Sequence, residues 1–248
     1  MLTPAQEHFL RMTAEAESRA AQSDDSMAGA TGYELMLAKL AEDRRSLKLI
    51  QSIEAKIDYK RKVLPDYAAY VAGALAGGKG AQDDVLMSAM VWHLDCADYA
   101  EALPIAQYAL RHGMTLPDQY QRTTATLIAE EVADTELRKH TAKETMDAMA
   151  ICQTLDLTLE HDMPDQVRAK LYKAAGYAMR DEGKPAAAIE YLRRAMTLHD
   201  KVGVKRDIEL LERAVAKGLT GAEATGNDAA GTDTEETKTD AGSDASAT

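Results

Sequence analysis

The glycine-rich stretch GALAGGKG, which starts at Gly73, has the spacing of a phosphate-binding loop. Gly73, Gly78 and Lys79 match the pattern G-x-x-x-x-G-K, but Gly80 stands where Ser or Thr would bind magnesium. Such a loop also follows a buried strand, whereas residues 67–75 repeat apolar side chains with the period of a helix. We therefore interpret the glycines as a left-handed C-terminal helix cap and expect no nucleotide site.

Three aspartates, Asp83, Asp84 and Asp95, could form a carboxylate set that binds divalent metal ions, as in nucleases. Asp83 and Asp84 also fit the N-terminal turn of a helix, where the macrodipole favours acidic side chains. We favour the capping role and keep a Mg²⁺-dependent endonuclease as the alternative. The histidines are scattered and no nucleophile motif occurs, so the residues alone predict no active site, metal or other cofactor.

The composition of the 248 residues predicts an all-α fold. Ala, Leu, Glu, Lys and Met are abundant, aromatic residues make up 5%, and no stretch alternates β-branched and polar residues over a strand's length. The formal net charge is −12. No apolar run approaches the roughly 20 residues of a membrane span, so we expect a soluble intracellular protein, with no membrane partner and with Cys96 and Cys152 reduced.

Residues 1–32 predict an N-terminal helix followed by a flexible joint. Thr3 is placed as the N-cap, Pro4 as the first helical residue and Gln6 as the partner of a capping box. The joint is the glycine- and polar-rich stretch QSDDSMAGATG. We expect the helix to dock on a partner or to be mobile, because its apolar stripe is narrow: Ala5, Phe9, Met12 and Ala16.

Residues 33–64 predict one helix of about eight turns that ends before Pro65. Its leucines and isoleucines recur at intervals of three and seven, which favours a coiled-coil-like arm packed against other subunits. Its basic face is either a solvated surface or a set of phosphate contacts. The candidate DNA-binding residues are Arg44, Arg45, Lys48, Lys60, Arg61 and Lys62. A weaker second candidate is Lys205, Arg206 and Arg213, and a third is the N-terminal helix with Arg11 and Arg19.

Residues 65–219 predict a body of helical hairpins, and residues 220–248 predict a disordered tail. The stretch from Tyr172 to Ala195 follows the spacing of a tetratricopeptide pair, and an earlier pair starting near Asp83 echoes it. We expect two further helices between Pro117 and His161 and a last helix from Val204 to about Lys217. In the tail, seven acidic residues face a single lysine and no large apolar residue occurs, so it cannot form a core.

Several blocks closely resemble the small terminase subunit of peduovirus-type tailed phages, above all GKGAQDDVLMSAMVWHLD, ALPIAQYALRHGMTLP and DMPDQVRAKLYKAAGYAMRDEG. The resemblance implies binding of double-stranded phage DNA at the cohesive-end site, a ring or other homo-oligomer, and docking of a large subunit with ATPase activity. The family is often labelled the terminase endonuclease subunit. Members of this family end in a Lys-, Arg- and Pro-rich tail, whereas this tail is acidic.

We therefore expect a DNA-packaging adaptor without catalysis of its own. A metal-dependent endonuclease that cuts at the cohesive-end site is one alternative. A tetratricopeptide-like protein-binding scaffold unrelated to DNA is the other.

Overall fold

The structure, a computed structural model, describes residues 2–21, 31–117 and 122–226, with side chains as far as Gly218. These residues form helices and no strand, which confirms the predicted all-α class. None of the described helices combines the length and the apolar character needed to cross a membrane. The α-helices are α1 Pro4–Ala20, α2 Thr31–Leu49, α3 Ile53–Val63, α4 Ala68–Gly77, α5 Asp84–Asp95, α6 Tyr99–Arg111, α7 Thr124–Ala142, α8 Ala148–Thr158, α9 Asp165–Asp181, α10 Pro185–Leu198 and α11 Lys205–Gly226.

Helix α5 is the centre of the core. Residues 85–92 are all buried, and helices α2, α3, α4, α6 and α7 each contact α5. A helix that is apolar on every side is stable only when other helices surround it. The block GKGAQDDVLMSAMVWHLD of the family resemblance thus contains this central buried helix.

Helix α1 packs on α4 of the same chain. Its predicted capping box is confirmed, since Gln6 N donates to Thr3 Oγ1 and Thr3 N donates to Gln6 Oε1. The face on α4 is Leu10, Ala14 and Ser18, and it is not the predicted stripe. The predicted stripe lies outside, with Phe9 and Met12 65% and 44% exposed. Docking therefore uses small residues that let two backbones approach closely.

The predicted single helix over residues 33–64 is wrong, because the chain breaks between Leu49 and Ile53. Ser52 starts a new helix after the break, because its Oγ accepts a hydrogen bond from Ala55 N at 3.3 Å and caps α3. Leu40 and Leu64 of the predicted apolar stripe are buried within the chain. That other subunits cover the rest of the stripe stays a prediction. Thr31 and Gly32 already belong to α2, and residues 22–30 of the predicted joint lie outside the described residues.

The predicted left-handed glycine cap at the C-terminus of a helix is confirmed. Gly78 ends α4 with a φ of 65°, in the left-handed region, and Asp83 caps α5. The two helices expected between Pro117 and His161 are α7 and α8. Helix α11 extends past the predicted end to Gly226, and the rest of the predicted tail, 227–248, lies outside the described residues.

The second predicted helix pair is α9 and α10. They pack closely at Gly176, where an added Cβ would lie 2.5 Å from Leu192 Cδ2. Their tetratricopeptide-like character stays a prediction.

Candidate nucleic-acid interface

Helices α2 and α3 form a helical hairpin, which we call the α2–α3 hairpin. Tyr59 Oη donates a hydrogen bond of 2.8 Å to Asp43 Oδ1, although the two residues are 16 apart in sequence. A continuous helix would separate them by about 24 Å. The chain therefore bends back at residues 50–52 and brings Tyr59 of α3 to Asp43 of α2.

A buried carboxylate, Asp43, holds the base of this hairpin together. It accepts hydrogen bonds from Lys39 Nζ at 3.0 Å, from Tyr59 and from Tyr67 Oη at 2.6 Å. Lys39 also pairs with Asp66 at 3.3 Å and lies over the Tyr67 ring. Asp43 is 5% exposed, and such a buried charge is tolerated because each oxygen has a donor. We call Lys39, Asp43, Tyr59 and Tyr67 the Asp43 cluster.

The two phenols of the Asp43 cluster keep their protons at neutral pH. Burial, followed by the hydrogen bond to Asp43, raises the pKa of Tyr67 well above its ordinary value. Burial also raises the pKa of Tyr59. Both phenol groups therefore remain hydrogen-bond donors to Asp43 at neutral pH.

Three of the six predicted DNA-binding residues are exposed and unpaired. Arg45, Lys48 and Lys62 are exposed and form no ion pair with any residue that the structure describes. Arg45 and Lys48 are three residues apart on α2, so they share a helix face. These side chains can meet a phosphate without first giving up a partner in the described part of the chain.

The other three predicted residues are engaged within the chain. Arg44 is half-buried, and its Nη2 donates to Ser88 Oγ on α5 at 2.7 Å. Lys60 is paired with Asp95, and Arg61 lies 3.4 Å from Asp58. Arg44 and Lys60 thus attach the hairpin to α5, and Arg61 is exposed but partly neutralised.

The predicted carboxylate set does not come together. Asp83 and Asp84 begin α5 and Asp95 ends it, so the helix separates them by about 16 Å, whereas two-metal sites place their ions about 4 Å apart. Both oxygens of Asp83 are used within the chain, by Leu86 N at 2.8 Å and by Tyr70 Oη at 2.7 Å. These residues do not fit a divalent-metal centre. The described residues contain no other group of three His, Cys, Asp or Glu placed to hold a metal ion.

A cavity of about 460 Å³ lies beside the hairpin, lined in part by Arg61, His93 and Cys96. His93 Nδ1 lies 2.8 Å from Asp98 Oδ2, which resembles the base and orienting group of a nucleophilic site. Burial, however, raises the pKa of the Cys96 thiol. The thiol therefore stays protonated at neutral pH and is a poor nucleophile.

The second predicted basic patch lies on α11, and more of its positive charge is balanced by acidic side chains than on the hairpin. Lys205 and Arg206 are exposed, but Arg213 lies 3.8 Å from Glu209. Glu212, on the same helix, pairs with Arg193 at 2.6 Å. The basic side chains of α11 thus alternate along the helix with acidic ones.

Sequence reasoning missed Asp43, which looked like one of several acids that face the basic residues. The only local signal is its i,i+4 spacing from Lys39. It also missed the hairpin tip, residues 48–56, where Leu49 and Ile53 are 83% and 72% exposed. The signal for the tip was available, because Ser52 followed by Glu54 in the next turn is a typical helix start.

The chain is similar in sequence to known phage proteins. Residues 37–166 match the family described as phage small terminase subunit. The chain is 47% identical over 214 residues to a protein of Escherichia phage P2 named "Terminase, endonuclease subunit", which covers 86% of this chain and 85% of that one. It is 26% identical over 191 residues to "Probable terminase, endonuclease subunit" of Haemophilus phage HP1, covering 71% and 68%. No solved structure matches the chain.

Proposed function

This chain belongs to the phage small terminase subunit family, and on that premise we propose that it is the DNA-binding adaptor of a phage packaging machine. It binds double-stranded phage DNA at the cohesive-end site in the host cytoplasm. It assembles with copies of itself and recruits the large subunit, which supplies ATPase activity.

The observation that supports DNA binding best is the concentration of positive charge on the α2–α3 hairpin. Residues 44–62 contain seven Lys or Arg and two acidic residues, in a chain with a net charge of −12. Cations on a surface displace the counterions condensed on DNA, which gives affinity that depends on salt and little on sequence. Arg45, Lys48 and Lys62 are the members of this set that are exposed and have no ion pair with residues 2–21, 31–117 or 122–218.

Replacement of Arg45, Lys48 and Lys62 by Ala tests this proposal. Each lost phosphate contact lowers the slope of log affinity against log salt by about 0.9, so the triple variant should lose roughly 2.7 units of slope. Cohesive-end and random duplexes should weaken about equally, because phosphate contacts position the protein without reading sequence. Fluorescence anisotropy over a salt series measures the slope.

A matched variant removes the same charge from α11, at Lys205, Arg206 and Arg213. It should keep the wild-type slope. Loss of slope in the α11 variant alone would move the DNA site to α11. Lys60 is unsuitable for this test, because its removal also breaks the ion pair with Asp95.

The names of the relatives favour a second candidate function, cleavage of DNA at the cohesive-end site. Asp83, Asp84 and Asp95 lie too far apart for one metal centre, so we expect the purified chain with Mg²⁺ to leave cohesive-end DNA intact in the absence of the large subunit. If it nicks that DNA and Asp84→Asn abolishes nicking with unchanged helical circular dichroism, the endonuclease function is correct instead.

A further inference from the structure

We propose that the tip of the α2–α3 hairpin is an apolar wedge that inserts between base pairs and bends the bound DNA, an inference that rests on the proposed DNA binding. Leu49 and Ile53 flank the turn at the tip and are 83% and 72% exposed. They are the two most exposed large apolar side chains among the described residues. Proteins that bend DNA insert aliphatic side chains of this kind between base steps, next to cations that hold the backbone.

The tip projects from the body at a fixed position. Asp43 and Tyr59, whose side chains are hydrogen-bonded, each lie six residues from the nearer wedge residue. Six helical residues span about 9 Å, so Leu49 and Ile53 lie roughly that far beyond the Asp43 cluster. Ser52 Oγ caps α3 at the turn and Ile50 N donates to Leu47 O at 3.3 Å, so the turn itself is ordered. A wedge must be held in this way, because unstacking a base step costs free energy that a mobile loop would not recover.

The charge around the wedge matches DNA. Arg45 and Lys48 precede Leu49 on α2, and Lys56 follows Ile53 by one turn of α3. Glu54 and Asp58 are the acidic residues of the basic segment 44–62, which retains a net charge of +5. Cations beside the apolar pair place phosphates on both sides of the inserted side chains.

The size of the apolar surface argues for DNA rather than a protein as the occupant. A stable protein–protein interface needs about 800 Å² on each partner with an apolar centre. Two aliphatic side chains among lysines and arginines supply much less, whereas one or two inserted side chains are sufficient to kink a duplex. A second copy of this chain is therefore the less suitable occupant and becomes an outcome of the test.

The experiment measures DNA binding and DNA bending separately. A short duplex with TA steps, which kink easily, has donor and acceptor dyes at its two ends. We expect the wild type to raise energy transfer, because bending brings the ends together. The variant Leu49→Ser/Ile53→Ser should bind with the wild-type salt slope, since its cations are intact, and should abolish the rise in energy transfer.

The matched control is Leu35→Ser, which removes a side chain that is 62% exposed on the same helix but 14 residues before Leu49. It should bend DNA as the wild type does. Wild-type binding without a rise in energy transfer overturns the wedge and leaves the adaptor function standing, whereas absence of any binding overturns both. If the double variant keeps the bend but lowers the oligomer mass in light scattering, the tip contacts a second copy and the wedge is wrong.

Discussion

At the scale of single residues, Asp83 couples proton binding to the stability of the fold. It is 3% exposed and caps α5, and Tyr70 Oη also donates to it. Burial raises the pKa of Asp83 to about 6, and the hydrogen bonds offset this shift only partly. The folded chain then binds the proton more tightly than the unfolded chain. The contribution of Asp83 to the free energy of unfolding is therefore fully present below pH about 4 and is lost as the pH rises through about 6.

We expect Asp83→Asn to remove this pH dependence. Asn still accepts a hydrogen bond as an N-cap, so the fold should persist. A shift of about two pKa units corresponds to about 3 kcal/mol, so the stability of the wild type relative to the variant should fall by up to that amount between pH 4 and pH 7. Urea unfolding followed by circular dichroism at several pH values measures the difference. A difference that does not change with pH would contradict the prediction.

The residues of the basic face could be predicted from sequence, whereas their partners could not. Arg44, Arg45 and Lys48 are close together in the chain, and any helical pattern places them near one another. Arg61 has its partner Asp58 three residues away on the same helix, but Arg44 and Lys60 contact Ser88 and Asp95, which lie on a different helix. Tertiary packing sets these contacts, and no spacing rule within one segment contains them.

At the scale of helices, the contact between α1 and α4 depends on two glycines. A Cβ on Gly73 would overlap the carbonyl oxygen of Arg11, and one on Gly77 would lie 2.6 Å from Ser18 Cβ. Ser18 Oγ donates to Ala74 O at 3.0 Å across the same contact. The two helices can approach this closely only because α4 has no side chains at these positions.

We expect Gly73→Ala to weaken the docking of α1 and to lower the free energy of unfolding by about 1–3 kcal/mol, because overpacking forces the backbones apart. Chain cleavage in limited proteolysis should become faster near α1. The control is Gly218→Ala in α11, where an added Cβ meets nothing within 4 Å. The control should be neutral or slightly stabilising, because Ala has the higher helix propensity. Equal stability of Gly73→Ala and the wild type would show that α1 does not need this contact.

The helices that start at an N-cap residue could be predicted from sequence, whereas the break at residues 50–52 was not predicted. Thr3 and Asp83 begin helices through local hydrogen bonds that a sequence pattern contains. The break has no Gly or Pro, and its only local marks are Ser52 and Glu54. What favours it is long-range: Asp43 must reach both Tyr59 and Tyr67, which lie 16 and 24 residues away.

At the scale of the whole molecule, we expect the outer face of α1 to contact copies of the chain. Phe9 and Met12 lie exposed on this outer face. The apolar stripe of α2 and α3, which we predicted to contact other subunits, is partly covered by the chain itself, since Leu40 and Leu64 are buried. We expect Phe9→Ser/Met12→Ser to lower the mass measured by light scattering, because exposed apolar surface favours association. Starting the chain at Pro65, by contrast, would uncover the core beneath α2. An unchanged mass would place the contact between copies elsewhere.

The acidic C-terminal residues should weaken DNA binding by the rest of the molecule. Residues 227–248 contain six acidic residues and one lysine, a net charge of −5. We expect them to repel DNA and to compete with it for Arg45, Lys48 and Lys62. Truncation after Gly226, which leaves α11 whole, should therefore raise affinity for any duplex. The gain should be largest at 0.01 M salt, where the Debye length is about 30 Å, and small at 0.15 M, where it is about 8 Å.

A full-length variant with Asn and Gln in place of those six acids separates charge from chain length. It should match the truncated protein at every salt concentration, since the effect is electrostatic and depends on the field of the whole molecule. Anisotropy titrations on one duplex over the salt series compare the three proteins. A gain that persists unchanged at 0.15 M, or one that only the truncated protein shows, would mean that residues 227–248 obstruct DNA by their volume and not by their charge.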